Sequence, residues 1–271
     1  MSGAIVAIGG AEFTMRPENE ALHDYVLSHA SPRRDGPLRI CLLPTASGDP
    51  HDQIVSFHAA MERRGCLASE ISLFRLGVSP IDFAEHLLDQ DVIYVTGGSM
   101  VNLLALWREH RIDEIMRRAH ELGIVLCGYS AGSMCWFEQG ISRGAGAPAS
   151  VPGLGLVGGS HCVHYGQDPA RRDCFRRLIA AGTIPPGLAL DDHAAALIEG
   201  GAVVEAVRSR ESAAAHHVQP GEGELADEIP LEARLLAASE EPVETGLDEM
   251  RELRRARSRS GAGPGRIGRL G

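Results

Sequence analysis

Aromatic residues make up only 4% of this 271-residue chain, so its core must be built from aliphatic side chains. Long apolar runs are missing as well. No stretch of 18 apolar residues occurs, and the first segment runs into Ile5-Val6-Ala7-Ile8 instead of a basic and apolar leader. The expectation is a cytoplasmic protein with no membrane partner. Positive charge is also in short supply, with 26 Lys and Arg against 36 Asp and Glu for a net of −10. That balance argues against a nucleic-acid-binding body. No Cys-x-x-Cys pair exists among Cys41, Cys66, Cys127, Cys135, Cys162 and Cys174, and several sit in apolar runs such as Ile40-Cys41-Leu42-Leu43. Buried free thiols are expected, not a disulfide framework.

What the chain does have is 44% hydrophobic residues in a length suited to one large domain. Short apolar strands are expected at residues 5–8, 39–43, 71–74, 92–95 and 124–127, with helices at 18–29, 53–64, 81–89 and 101–121. Such alternation predicts an α/β fold, a doubly wound and mostly parallel sheet with helices on both faces. Two late runs, 194–198 and 203–207, flank Glu199-Gly200-Gly201 and read as a hairpin that extends the sheet antiparallel near the C-terminus. These elements place one α/β domain over residues 1–235.

Residues 236–271 read as a tail, with a short helix near 245–257 and a basic, disordered remainder. Seven arginines face one acid in residues 251–271, a net of +6 that leaves −16 on residues 1–250.

One motif stands out chemically. In Val125-Leu126-Cys127-Gly128-Tyr129-Ser130-Ala131-Gly132-Ser133 an apolar run ends in Gly-x-Ser-x-Gly, the sequence form of a nucleophile elbow. Small residues flank a serine on a turn so tight that its hydroxyl is lifted clear of the sheet edge. A Gly-rich turn whose serine merely caps the next helix is the plainer alternative. The segment 131–137 is expected to form that helix.

Ligands of a doubly wound sheet gather outside the carboxyl ends of its strands. Four loops qualify: Gly9-Gly10, Pro44-Thr45-Ala46-Ser47-Gly48-Asp49, Thr96-Gly97-Gly98-Ser99 and the Ser130 turn. None carries Gly-x-Gly-x-x-Gly or Gly-x-x-x-x-Gly-Lys-Ser/Thr, which argues against nucleotide binding. The nearest downstream imidazoles are His161 and His164. With Cys162 they could suggest zinc, but they fall on opposite sides of an extended segment and no fourth ligand has recognisable spacing, so no metal is expected.

Thr96-Gly97-Gly98 before a Leu-rich helix, Gly128-Tyr129-Ser130-Ala131-Gly132-Ser133-Met134-Cys135-Trp136-Phe137-Glu138, and Gly159-Ser160-His161-Cys162-Val163-His164-Tyr165, in this order, resemble the peptidase E (aspartyl dipeptidase) family of serine peptidases. Its fold is similar to class I glutamine amidotransferases, and cyanophycinase is a relative. The resemblance runs from Ile5 to about Pro230 and includes Leu42-Leu43-Pro44-Thr45-Ala46-Ser47-Gly48-Asp49. It implies hydrolysis of short peptides with N-terminal aspartate through an acyl-enzyme. No cofactor is implied. Ser130 matches the nucleophile, His164 the general base, and the Gly98 and Ala131 amides the oxyanion hole. His161 stays open as the alternative base. Arg171, Arg172, Ser99 and Asp192 are the candidate contacts to substrate.

Two positions depart from the family pattern. Ser99 stands where an asparagine is usual, and Ser142-Arg143 stands where close relatives carry an acid. Glu138 is then the only carboxylate between Ser130 and His164, and it becomes the candidate orienting acid. Asp191-Asp192 could supply one from a neighbouring loop. Loss of the acid opens a second reading, a catalytically silent peptide-binding homologue. A third is an amidohydrolase acting on another aspartyl amide or isopeptide. The expected partner is a small peptide substrate, with a homodimer as a compatible assembly and no nucleic acid for the body.

Overall fold

The computed structural model describes residues 2–10, 17–75, 81–143 and 146–237. In chain order the elements begin with β1 (Ile5–Ile8), α1 (Pro17–Ser28), β2 (Arg39–Leu43), α2 (His51–Glu62), β3 (Leu67–Glu70), α3 (Phe83–Leu88) and β4 (Val92–Val95). They continue with α4 (Met100–Glu109), α5 (Ile112–Glu121), β5 (Val125–Tyr129), α6 (Ala131–Met134), β6 (Phe137–Arg143), β7 (Pro148–Pro152) and β8 (Val157–Val163). The last are α7 (Pro169–Ala180), β9 (Gly187–Leu190), β10 (Ala194–Glu199), β11 (Ala202–Arg208), β12 (Ala215–Gln219), β13 (Asp227–Leu231) and β14 (Ala233–Leu235). The expected tail helix near 245–257 lies outside the described residues.

These strands form two sheets. The larger runs β14-β11-β10-β1-β5-β4-β2-β3, and its five strands from β1 to β3 pair parallel. Successive residues of these strands point to opposite faces, as the pleat requires. Ile5, Ala7, Cys41, Leu43, Ile93 and Val95 pack with α3, α4, α5 and α6, while Val6, Ile8, Ile40, Leu42, Val92 and Tyr94 pack with α1 and α2. Burial on both faces is why β1, β2 and β4 read as apolar runs. The hairpin β10–β11 adds antiparallel to the far side of β1.

The second sheet was not anticipated. It runs β13-β12-β9-β8-β6-β7, and α7 packs Phe175 and Ile179 against its Ile141, Cys162, Ala189 and Val218. Three further expectations need correction. The strand expected at 71–74 is a 3-10 turn at Leu73–Arg75, and the strand itself lies earlier, at β3. The single helix expected over 101–121 is broken at Arg111, which sits at φ 56° between α4 and α5. The helix expected over 131–137 stops at Met134, because the carbonyls of Cys135, Trp136 and Phe137 accept backbone N–H groups from residues 154–157 and draw the chain into β6. Pro169 does open a helix, with Asp168 as the N-cap accepting from Arg171 N–H.

Among the described residues, no helix is long and apolar enough to cross a membrane.

Candidate active site

Ser130 stands between β5 and α6 at φ 54°, ψ −117°. This region is costly for any residue with a Cβ. The strain is held from several sides. Ser130 N–H donates to the Ile8 carbonyl, and the Ser130 carbonyl accepts the N–H groups of Ser133 and Met134. A Cβ on Gly128 or Gly132 would overlap backbone oxygens of Gly132 or Val95, so only glycine lets the turn and the strand beneath it approach this closely.

His164 follows β8 directly and is the residue that reaches the serine: its Nε2 is 2.9 Å from Ser130 Oγ. It too is held at positive φ, 53°. On the other side of its ring, Nδ1 meets Asp192 Oδ1 at 2.5 Å. Asp192 follows β9, so serine, imidazole and carboxylate line up across the junction of the two sheets. Burial pushes the Asp192 carboxyl up, but the hydrogen bond and charge of His164 outweigh it and hold the group below the ordinary carboxylate range. Arg171 adds to that depression.

Backbone closeness fixes the imidazole–carboxylate pair. Gly10, after β1, lies so near that a Cβ there would overlap Asp192 Oδ1 and come within 2.7 Å of the His164 ring. His193, at φ 67°, donates its N–H to the Gly10 carbonyl. The neighbouring Asp191 is buried and staples the turn: Oδ1 accepts from Gly166 N–H at 2.7 Å and Oδ2 from Ala214 N–H at 3.0 Å. Gln167 Oε1 accepts from Asp192 N–H.

The Gly97-Gly98 loop forms the opposite wall. A Cβ on Gly97 would lie 3.0 Å from Ser130 Cβ, and Gly98 is at φ 139° against the Ala46 carbonyl. Ser99 caps α4, accepting from Asn102 N–H.

Several sequence expectations are revised by this geometry. Glu138 is not at the end of a helix beside the imidazole; it is an exposed residue of β6 whose Oε2 accepts Gly159 N–H. The strand that replaced the expected helix carried it there, and Asp192 occupies the position facing His164. His161 lies in β8, fully buried, with Nε2 at Ser133 Oγ and Nδ1 at the Leu188 carbonyl. Burial pulls it down to about 4, so it stays neutral as a core histidine. Arg172 is committed to a two-point pair with Glu228 at 2.7 Å and stacks over Tyr165. Arg171 is nearer the site, largely buried, with Nη1 at the Val163 carbonyl and Nε 3.6 Å from Asp168. Arg143 pairs with the same Asp168. Among the described residues, no group of three or more His, Cys, Asp or Glu side chains is placed to hold a metal ion.

Comparison with known proteins follows the same outline. Residues 5–206 match Peptidase family S51. The "Uncharacterized peptidase YgaJ" of Bacillus subtilis is 41% identical over 232 residues, covering 86% of this chain and 98% of that protein. A crystal structure of a peptidase from an acI-B1 Actinobacterium superposes with a TM-score of 0.60 at 17% identity, over 88% of this chain and 98% of the other. A putative peptidase E protein from Listeria monocytogenes EGD-e does so with a TM-score of 0.53 at 20% identity, over 77% and 99%. At those identities the two structures speak to the fold alone.

Proposed function

Because this chain belongs to peptidase family S51, we propose that it is a serine peptidase that cleaves short peptides with N-terminal aspartate. The observation that carries this reading is the continuous line from Ser130 Oγ to His164 Nε2 at 2.9 Å and from His164 Nδ1 to Asp192 Oδ1 at 2.5 Å. We read the Ser130 turn as a nucleophile elbow. Ser130 Oγ attacks the scissile carbonyl while His164 Nε2 takes its proton; the imidazolium gives that proton to the leaving amine as the C–N bond breaks. Water then hydrolyses the acyl-enzyme, with His164 again accepting a proton and returning it to Ser130. Asp192 keeps Nδ1 protonated and so leaves Nε2 as the acceptor.

The oxyanion would be met by the amides of Gly98 and Ala131, one on each side of Ser130. Donors of this type are worth roughly 3 kcal/mol each in better-studied hydrolases. Arg171 is the candidate cation for the substrate carboxylate, and its charge already reaches Asp192; Arg172 is occupied by Glu228. The silent-homologue reading rests on an arginine at 143, and the Asp192 contact to His164 supports the active reading in its place. All six cysteines are free thiols, in keeping with a cytoplasmic location.

Purified protein should release leucine from Asp-Leu, lose that activity on Ser130→Ala and spare Leu-Leu. Equal turnover of the two dipeptides would remove the aspartate preference. Faster release from the β-aspartyl isomer would favour the isopeptide alternative, and activity surviving in Ser130→Ala would sink the mechanism.

A further inference from the structure

The loop after β2 carries a hydrogen-bond relay that the chemistry above leaves unused. Ser47 Oγ lies 2.9 Å from the Pro44 carbonyl, 2.8 Å from Gln53 Oε1 and 3.1 Å from Thr96 Oγ1. Gln53 Nε2 donates to Tyr129 Oη at 2.5 Å. The ends of the relay matter most. Thr96 immediately precedes Gly97-Gly98, and Tyr129 immediately precedes Ser130. Two side chains from a third segment, Ser47 and Gln53, therefore bridge the strand end bearing the Gly98 amide and the strand end bearing the hydroxyl.

Backbone contacts make that bridge a clamp. Ser99 N–H donates to the Ala46 carbonyl at 2.8 Å, and Gly98 has no room for a Cβ against the same carbonyl. On the other face, a Cβ on Gly97 would come within 2.8 Å of the Tyr129 ring. The Gly97-Gly98 loop is thus sandwiched between Ala46-Ser47 and Tyr129-Ser130. Amide chemistry also gives the relay a direction. Gln53 Oε1 can only accept and Nε2 can only donate, so when Ser47 gives its hydrogen to Gln53, its oxygen is the acceptor for Thr96. Ser47 is exposed and Gln53 half-buried, so the pair contributes little apolar burial that an aliphatic residue could not match.

We propose that Ser47 and Gln53 are positioning residues that set the spacing between the Gly98 amide and Ser130 Oγ, acting on the transition state and not on peptide binding. The proposal rests on the serine-peptidase reading. An oxyanion donor works only when it meets the oxygen at its tetrahedral position, roughly 2.7–3.1 Å away. A displacement too small to disturb folding would therefore lower kcat.

The test uses the full chain carrying Gln53→Leu, which keeps bulk and removes both side-chain bonds, or Ser47→Ala at the exposed end should the first variant fold poorly. Measured quantities are kcat and KM on the best aspartyl dipeptide, the rate of fluorophosphonate labelling, and Ki for an aspartyl aldehyde that mimics the tetrahedral adduct. We expect kcat and labelling to fall on the order of 10–100-fold, with Ki rising in step. KM should stay within about threefold. A rise in KM at unchanged kcat, or wild-type kcat in a folded variant, would overturn the proposal while leaving the peptidase intact. Wild-type protein that neither turns over any dipeptide nor labels would overturn the peptidase reading and this proposal with it.

Discussion

The two halves of the site are held by different means. Around Ser130, backbone packs on backbone: Gly97, Gly98, Gly128 and Gly132 each occupy places where a Cβ would strike a neighbouring carbonyl, ring or side chain. Around His164, carboxylates do the holding. Asp192 takes Nδ1, Asp191 ties Gly166 to Ala214, and Asp168 caps α7 while pairing with Arg143 and Arg171. The serine half should therefore be intolerant of size, and the histidine half, apart from its close approach at Gly10, intolerant of lost charge.

The largest test of that contrast is Asp192→Asn, which keeps shape and removes charge. It should lower kcat on the order of 10⁴-fold, whereas Glu138→Gln should leave kcat/KM within about twofold; steady-state assays on both variants decide. Comparable losses in the two would return Glu138 to the site. Next comes Gly97→Ala, a pure change of size on the serine side, for which we expect a loss of about 10²-fold in kcat. Full activity there would mean the loop has slack, and the contrast would fail.

Acid stability separates the halves by a third route. His161 is held at about 4 by burial, against an ordinary value of 6.5. Between those values the unfolded chain binds a proton that the folded chain refuses, so stability must fall as pH drops from 6.5 toward 4, by up to about 1.4 kcal/mol per pH unit. His23, held at about 3 by burial, adds to the same slope and carries it lower. Glu228, whose pairing with Arg172 helps hold it at about 2 despite burial, contributes only below the usual carboxylate range of 4.5. Thermal unfolding followed from pH 7 to pH 4 should show the decline, and His161→Gln should lessen it to the part owed to His23; an unchanged slope in that variant would assign the proton elsewhere. The smallest effect belongs to Arg143→Ala, an exposed ion pair worth about 0–1 kcal/mol, with no change expected in kcat.

Legibility in the sequence followed the same division. The central strands of the larger sheet are buried on both faces, and β1, β2 and β4 coincide with their apolar runs, as do the Gly-rich loops that follow them. The smaller sheet left a fainter signal. Its β8 reads Val-Gly-Gly-Ser-His-Cys-Val, and half-exposed edge strands such as β7 and β13 carry proline and charge instead of continuous apolar residues. Without that sheet the acid could not be placed. Asp192 meets His164 across 28 residues of chain, whereas Glu138 stood out only as the sole carboxylate in sequence between Ser130 and His164. Arg172 looked available for substrate because nothing in its local sequence points to Glu228, 56 residues away.

Ser130, His164 and His193 all carry a Cβ in backbone conformations that favour glycine. Each such residue costs on the order of 1–3 kcal/mol, so the chain carries its proposed site as a standing load on its own folding. Glycine at 130 should yield a protein that melts at higher temperature and, on the proposed mechanism, has no activity. Thermostability gained at these positions is then a sign of capability lost, and any search for a hardier variant is best directed to residues away from the seam between the two sheets.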